Sequence, residues 1–540
     1  MKKILPVFLL ALLILGCSKS IKNDNKLVVV LVVDQMRADY LDRFDENFTR
    51  GLRRIIDSGH IYTNAYLNYS ATKTSTGHAT ISTGLYPKNH GIVDNNWFDR
   101  KSDKAIYSCF DPNYPILGNE NLEGRSPANL LTKTIGDYLK DKSSQSVVAS
   151  IALKDRAAIS MGGQHPDAAY WYDYTTGKFT TSSYYADSLP AWVRFFNNES
   201  GSREGFFNKY WMKFGSESQY KGCRADNYKY EYDGINTAFP HYITGNSDQP
   251  DPAYYDELSR TPFGDKVMFW AARRLANAYK MGQDDNPDLL FIGCSSADPV
   301  GHRFGPYSQE VLDYYLQLDD YISHLFDSLT SWCGEDRFSL ILTSDHGVAT
   351  IPEYAHEQGL DAQRISYEQF KNDLDTIYFD LAIQYDLGFD DFKRVNENIY
   401  LNRNTLEKLS PEKKIALIKE AKERLKQLSF IAEVYTSSEL SQSNGTNDPY
   451  LKLFQNNYNA DRCGDLVMRL KENYIVSSDP YGTTHGSAYG YDRHIPLVIY
   501  RDSYRHESID DTVSVTDIAP TIAKMLGLKD LPFDGQASIR

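Results

Sequence analysis

The 540 residues carry 58 Lys and Arg against 72 Asp and Glu, a formal net charge of −14, with 41% apolar and 24% charged residues. This ordinary balance excludes wholesale disorder and collagen-like repeats, and the length corresponds to roughly two to four units of structure. The acidic excess excludes a surface that coats nucleic acid, which requires a basic footprint to displace counterions; any anionic substrate must be met by a local site.

At the N-terminus, Lys2 and Lys3 precede an apolar run from Ile4 to Leu15, followed by Gly16, Cys17 and the polar Ser18, Lys19 and Ser20. This pattern predicts a secretory signal over residues 1–16, too short to span a bilayer. Cys17 directly after Gly16 resembles the lipobox of bacterial lipoproteins. That implies cleavage before Cys17, a lipid on it, a tether over 17–25, and a periplasmic or outer-membrane lipoprotein of a Gram-negative bacterium. Ordinary signal cleavage with Cys17 incidental is the alternative. Loss of residues 1–16 removes two positive charges and takes the chain from −14 to −16. The remaining cysteines, Cys109, Cys223, Cys294, Cys333 and Cys463, are scattered without zinc-ribbon spacing. Five is odd, so at least one stays free unless it pairs between chains, and Cys294 lies in an apolar run as a small buried side chain.

Short apolar runs at Leu27–Val33, Val147–Leu153, Leu289–Gly293, Phe338–Leu342 and Ile495–Tyr500 predict buried parallel strands. Amphipathic segments lie between them; one is Val311 to Phe326 with Ser308 as N-cap. The alternation predicts an α/β fold, a mostly parallel, doubly wound central sheet flanked by helices. Two stretches break it and are expected to be insertions, at about 162–262 and 350–476. The first is crowded with aromatics (Tyr170, Trp171, Tyr172, Tyr174, Tyr184, Tyr185) that either pack a satellite core or line a substrate entrance. The second contains Ser410-Pro411-Glu412, opening a helix with Ile415, Ile418, Ala421 and Leu425 on one face. No internal repeat or low-complexity tract is evident.

Residues of ligand type follow the predicted strands. Asp34 ends the first; SSADPVGH after Leu289–Gly293 contains Asp298 and His302; Asp345-His346-Gly347 follows Phe338–Leu342; and YGTTHGS with His485 precedes Ile495–Tyr500. Function gathers beyond the carboxyl ends of strands in open α/β sheets. Each residue alone has a structural explanation as a cap, a turn residue or a surface imidazole. Six together in equivalent positions point to two metal ions, and His with carboxylate suits zinc. Ions about 3.5–4 Å apart could hold the entering and leaving oxygens of a phosphoryl transfer. A hydroxyl nucleophile is expected in YSATKTSTGHATISTG, where Thr74 competes with Thr72, Ser75 and Thr76.

The strings LVVDQMR, TKTSTGHATISTG, HGIVDNNW, SADPVGH, SDHG, THGS and VTDIAPTIAKMLG resemble the alkaline phosphatase superfamily. Within it, the chain from Lys26 onward is similar to the phosphate-irrepressible, PafA-type alkaline phosphatases, relatives of the nucleotide pyrophosphatase/phosphodiesterases. The resemblance implies an alkaline phosphatase-like core over 26–540 and a nucleophile at Thr74. It implies two zinc ions, one held by Asp298, His302 and His485, the other by Asp34, Asp345, His346 and Thr74. Asn95, twenty-one residues beyond Thr74, matches the phosphate-binding Asn, with Asn96 as the alternative register. In LKDR, Lys154 and Arg156 match the cations that bind nonbridging phosphate oxygens, and two residues apart at a strand end they can point the same way. They suit the dianion of a monoester and disfavour a diester.

The implied activity is zinc-dependent hydrolysis of small phosphate monoesters through a phosphothreonine. Membrane contact would occur only through the lipid on Cys17, and the residues fix no oligomeric state. The competing enzyme is a phosphodiesterase using the same metals. A sulfatase would need Cys/Ser-x-Pro-x-Arg where Thr74-Ser75-Thr76-Gly77-His78 stands. A non-catalytic phosphate- or glycan-binding lipoprotein has no use for a metal-bound nucleophile. His78, His90, Lys73 and His494 are expected to be structural or solvated. No extra carboxylate suggests a third metal, whose electrostatic place Lys154 would take.

Overall fold

Seven consecutive apolar residues, Leu27–Val33, form the first strand, β1, buried along its whole length. Leu27, Val29, Leu31 and Val33 enter one hydrophobic core and Val28, Val30 and Val32 the other, so the strand is sandwiched between two helical layers. The computed structural model describes residues 25–442 and 448–537. The expected signal segment, Cys17 and most of the tether lie outside the described residues.

The central sheet has ten strands: β1, β2 (Gly59–Tyr66), β3 (Val148–Ala152), β4 (Ala168–Asp173), β5 (Lys178–Thr180), β6 (Asp288–Cys294), β7 (Phe338–Thr343), β8 (His494–Ile495), β9 (Leu497–Tyr500) and β10 (Glu507–Ser514). Their order is β8-β2-β9-β7-β1-β6-β3-β4-β5, with β10 paired to β2. From β7 through β4 the strands run parallel. The segment expected as a parallel strand over Ile495–Tyr500 differs. Pro496 interrupts it, since proline lacks the N–H a ladder needs, and the longer piece, β9, is antiparallel to β7. Polar faces hid β2 and β10 from a reading based on apolar runs.

The five helices that bear on the site or its support are α1 (Thr74–Thr83), α2 (Asp155–Gly162), α3 (Pro262–Ala278), α4 (Ala297–Phe304) and α5 (Gln309–Cys333). Ser308 caps α5, its hydroxyl accepting the Val311 N–H at 3.1 Å. Lys154 and Arg156 are not on a continuing strand: β3 stops at Ala152 and Lys154 is the N-cap of α2.

Inside the first expected insertion, β4 is parallel to β3 and β5 antiparallel to β4, so the central sheet continues to Thr180. Tyr170 and Tyr172 pack in one main core and Trp171 in the other, not in a satellite. Residues 363–476 carry a separate core around Phe370, Leu374, Leu417, Leu425 and Val434. It lies under a four-stranded sheet of Phe392–Val395, Asn398–Leu401, Leu466–Leu470 and Ile431–Thr436. The helix Pro411–Lys426 starts as expected, with the Ser410 hydroxyl accepting the Lys413 N–H. Of the expected face, Ala421 and Leu425 are buried and Ile418 packs against the same core, but Ile415 does not. Leu417, Ala421 and Leu425 form the stripe, whereas Ile415, about 120° away from its centre at 3.6 residues per turn, is 68% exposed. Cys109, Cys223, Cys294, Cys333 and Cys463 are all free thiols. No helix among the described residues is long and apolar enough to cross a membrane.

The corrected helix face gives a direct test. Leu417→Ala is expected to cost about 2–5 kcal/mol in denaturant unfolding, and Ile415→Ala within about 0.5 kcal/mol of nothing. Equal losses would contradict the assignment.

Candidate metal centre

Three adjacent parallel strands deliver carboxylates to one edge of the sheet. β1 ends at Val33 and releases Asp34, β6 leads through Ser295 and Ser296 into α4 with Asp298, and β7 leads to Asp345-His346. β9 runs the opposite way, so the segment before it, with His485, returns to the same edge. Local constraints make these turns. The buried Asp265 carboxylate on α3 accepts the Ser295 and Ser296 N–H groups at 3.0 and 2.9 Å. Ser344 Oγ accepts the Met36 N–H and donates to the His346 carbonyl.

Two groups of ligand atoms result, Asp298/His302/His485 and Asp34/Asp345/His346, the atoms of each lying within 4.8 Å of one another. The second group is fully buried; in the first, His302 retains 32% side-chain exposure. Each imidazole is oriented through Nδ1, which donates to a backbone carbonyl: His302 to Thr483 (2.7 Å), His346 to Gly347 (3.0 Å) and His485 to Thr72 (2.7 Å). A carbonyl only accepts, so Nδ1 carries a proton in each ring and Nε2 is the nitrogen turned inward. Those Nε2 atoms face carboxylates: His302 to Asp298 at 3.0 Å, His485 to Asp298 at 3.6 Å, His346 to Asp345 at 3.4 Å and to Asp34 at 3.5 Å.

This donor set fits metal ions. Burial pushes His346 down to about 4 and, with His346 beside it, pushes His485 well below the usual range, so neither ring is the cation its carboxylates need. Asp34 Oδ1, Asp345 Oδ2 and His346 Nε2 are buried without a hydrogen-bond partner. Burial and the neighbouring Asp345 charge push Asp34 well above the usual carboxylate range. Lone pairs and carboxylate oxygens pointing at one another, dry and unpaired, are the signature of a cation site of N/O character.

The candidate hydroxyls separate by their surroundings. Thr72 donates to the Ser487 carbonyl at 2.9 Å and Ser75 pairs with Ser108 at 2.7 Å, while the Thr76 hydroxyl is buried without a partner. Thr74 is the first residue of α1, and its Oγ1 lies 3.5 Å from Lys154 Nζ. Gly77 allows α1 this close to the site, because a Cβ there would strike the Asp345 backbone. Asn95 accepts the Ser75 N–H at 2.9 Å and so stands over the N-terminus of α1 with its amide N–H₂ as the donor end; Asn96 is exposed on a neighbouring strand.

Lys154 Nζ donates to Asp34 Oδ2 and Asp298 Oδ2, both at 2.6 Å, and thereby joins the two groups. Burial alone would lower the ammonium, but Asp298 and Asp34 outweigh it and hold its pKa above the usual value. Lys154, Arg156, Asp298 and His302 share the wall of a cavity of about 680 Å³ with Tyr174, Tyr232 and Tyr481. Arg156 is anchored to the Tyr107 hydroxyl (3.3 Å), itself held by Asp155 (2.6 Å). Of the aromatics named in the first expected insertion, Tyr174 lines this cavity.

The remaining expected residues are structural. His78 donates Nδ1 to the Thr74 carbonyl and lies 3.3 Å from Asp345. His90 bonds Thr80 and the Ile92 N–H, and His494 bonds the Thr63 carbonyl. Lys73 is not merely solvated: its Nζ donates to the His485 carbonyl at 3.0 Å. Asp265, Ser344, Asp492 and Gln35 support the ligands without having been singled out in the sequence. Gln35, directly after Asp34, and Ser344, directly before Asp345, carried a signal by position.

Residues 28–492 match the model of the Type I phosphodiesterase / nucleotide pyrophosphatase family, and the chain belongs to that family, within the alkaline phosphatase superfamily. It is 32% identical over 514 residues to alkaline phosphatase PafA of Elizabethkingia meningoseptica, covering 93% of this chain and 92% of that protein. It is also 32% identical over 521 residues to alkaline phosphatase PhoV of Synechococcus elongatus, covering 93% and 90%. The crystal structure of wild-type PafA superposes with a TM-score of 0.83 at 30% identity, over 94% of this chain and 96% of that one.

The close approach at Gly77 is testable. Gly77→Ala is expected to cost about 1–3 kcal/mol of stability and to reduce metal retained after dialysis. Wild-type stability with full retention would contradict the packing argument.

Proposed function

We propose that the protein is a two-zinc phosphatase that hydrolyses small phosphate monoesters through a covalent phosphothreonine on Thr74. The observation that carries this reading is the position of Lys154, whose ammonium ties Asp34 to Asp298 and lies 3.5 Å from the Thr74 hydroxyl, with Arg156 on the same cavity wall. The alkaline phosphatase names of PafA and PhoV support it. Asp298, His302 and His485 would hold one zinc ion and Asp34, Asp345, His346 and Thr74 the other. When bound, the ions would supply positive charge to the entering and leaving oxygens of the transfer.

The protein's own groups do the rest. Thr74 Oγ1 attacks phosphorus in line, the Oγ1–P bond forming as the bond to the ester oxygen breaks; the hydroxyl proton leaves to solvent, and the departing oxygen keeps the electron pair and takes a proton from solvent to leave as the alcohol. The positive end of α1 favours the charge gathering there. Arg156 offers a planar, two-pronged donor to nonbridging oxygens, Lys154 a point charge and Asn95 an amide N–H. Water then attacks phosphorus, breaking Oγ1–P and returning Thr74 with free phosphate. Two cations suit a terminal dianion; a diester has one charge fewer and a second substituent where they reach. The family match favours a second reading, a phosphodiesterase using the same centre. Export with a lipid on Cys17 accompanies the proposal, on the N-terminal residue pattern alone.

On a matched monoester and diester with one leaving group, kcat/KM is expected to favour the monoester. Arg156→Ala should lower the monoester value by about 10²–10³ and the diester value less. A diester preference in the wild type would select the second reading. Thr74→Ala should abolish phosphate label trapped on the protein in acid quench while metal content remains; trapping by this variant would contradict the nucleophile.

A further inference from the structure

Gln35 is the residue that touches both ligand groups through neutral amides. Its backbone N–H donates to Asp345 Oδ1 at 3.1 Å, and its side-chain Nε2–H donates to Asp298 Oδ1 at 2.7 Å. It is only 2% exposed. Its backbone sits at φ +67, in the left-handed region that a glutamine seldom adopts. That conformation turns its N–H toward the β7 loop at Asp345 while its side chain spans to α4. Room for the side-chain amide comes from Gly301 on α4, where a Cβ would collide with the Gln35 side-chain oxygen.

Two carboxylates so engaged have their rotations settled. With Oδ1 of Asp345 tied to the Gln35 N–H, its Oδ2 is the oxygen turned to His346, at 3.4 Å. Asp298 Oδ1 faces His302 and His485, and the Gln35 amide holds it there, while Oδ2 belongs to Lys154. Lys154 also links the groups, but through charge and from the cavity side, where substrate enters. Gln35 does so from the interior, without charge. Groups that orient metal ligands from behind govern affinity nearly as strongly as the ligands themselves.

We propose that Gln35 is a positioning residue that sets both ligand groups at once, its side chain governing the Asp298/His302/His485 group and its backbone the Asp34/Asp345/His346 group, with Gly301 as the space that permits it. This deepens the two-zinc reading and rests on it.

The test is zinc stoichiometry and affinity of the purified protein, by competition with a chromophoric chelator and by metal analysis after dialysis. Gln35→Gly keeps the backbone N–H, is at ease at positive φ, and deletes only the side-chain amide. It is expected to weaken one of two zinc ions by about 10–100-fold and leave the other within about twofold of wild type. Gly301→Ala, which leaves residue 35 unchanged but evicts its amide, should give the same selective loss. The double variant, with no amide left to evict, should be no worse than Gln35→Gly alone. Folding is followed separately by circular dichroism, so that a variant holding one ion tightly is distinguished from an unfolded one. Two ions held by Gln35→Gly as tightly as by wild type would overturn the proposal while leaving the two-zinc reading intact, as would strictly additive losses in the double variant. Wild-type protein that does not hold two ions would overturn the two-zinc reading and this proposal with it.

Discussion

Three carboxylates, Asp34, Asp298 and Asp345, converge in a dry region beyond the ends of three adjacent strands, and the surrounding structure is organised around that concentration of negative charge. Burial of ionised carboxylates without compensation costs several kcal/mol each. Here the compensation is partial: Lys154 bridges Asp34 and Asp298, Gln35 donates to Asp298 and Asp345, and His78 lies beside Asp345. The buried imidazoles of His346 and His485 add lone pairs rather than positive charge, because burial holds the pKa of each down. Such a site is electrostatically complete only with cations.

The same constraint explains how a chain of net charge −14 can serve an anionic ester. Bulk charge acts over distances at which salt screens it, whereas bound cations dominate within a few ångströms. The cavity beside the cluster is lined by both cations, Lys154 and Arg156, and by tyrosines, and at about 680 Å³ it is larger than a phosphate group alone needs. That size accords with one phosphate site serving varied leaving groups.

The sheet's parallel centre and the six residues of the candidate metal centre were legible in the sequence because strand-sized apolar runs ending in Asp or His place chemistry at one edge whatever the details of packing. The direction of β9 was not legible; an apolar run reads the same parallel or antiparallel, and only pairing decides. It mattered little for function, because His485 precedes its strand and the reversal brings it to the right edge. Helix phase failed at Ile415, where an apolar residue on a mostly polar helix was assigned to the core that Leu417 occupies. Composition could not separate Thr74 from Thr72, Ser75 and Thr76, because what distinguishes them lies in three dimensions: Thr72 and Ser75 have hydroxyl partners, and Thr74 lies beside Lys154. Gln35, Asp265 and Asp492 support the site through hydrogen bonds across 263, 31 and 5 residues of sequence. Spacing carries little information about partners such as the first two, which are distant in the chain.

Anomalous diffraction at the zinc edge, from crystals grown with zinc, tests the central claim most directly. The account predicts two peaks, one among Asp298, His302 and His485 and one among Asp34, Asp345, His346 and the Thr74 hydroxyl, with Lys154 turned toward the cavity. A single peak, or none with Lys154 still bridging Asp34 and Asp298, would contradict it.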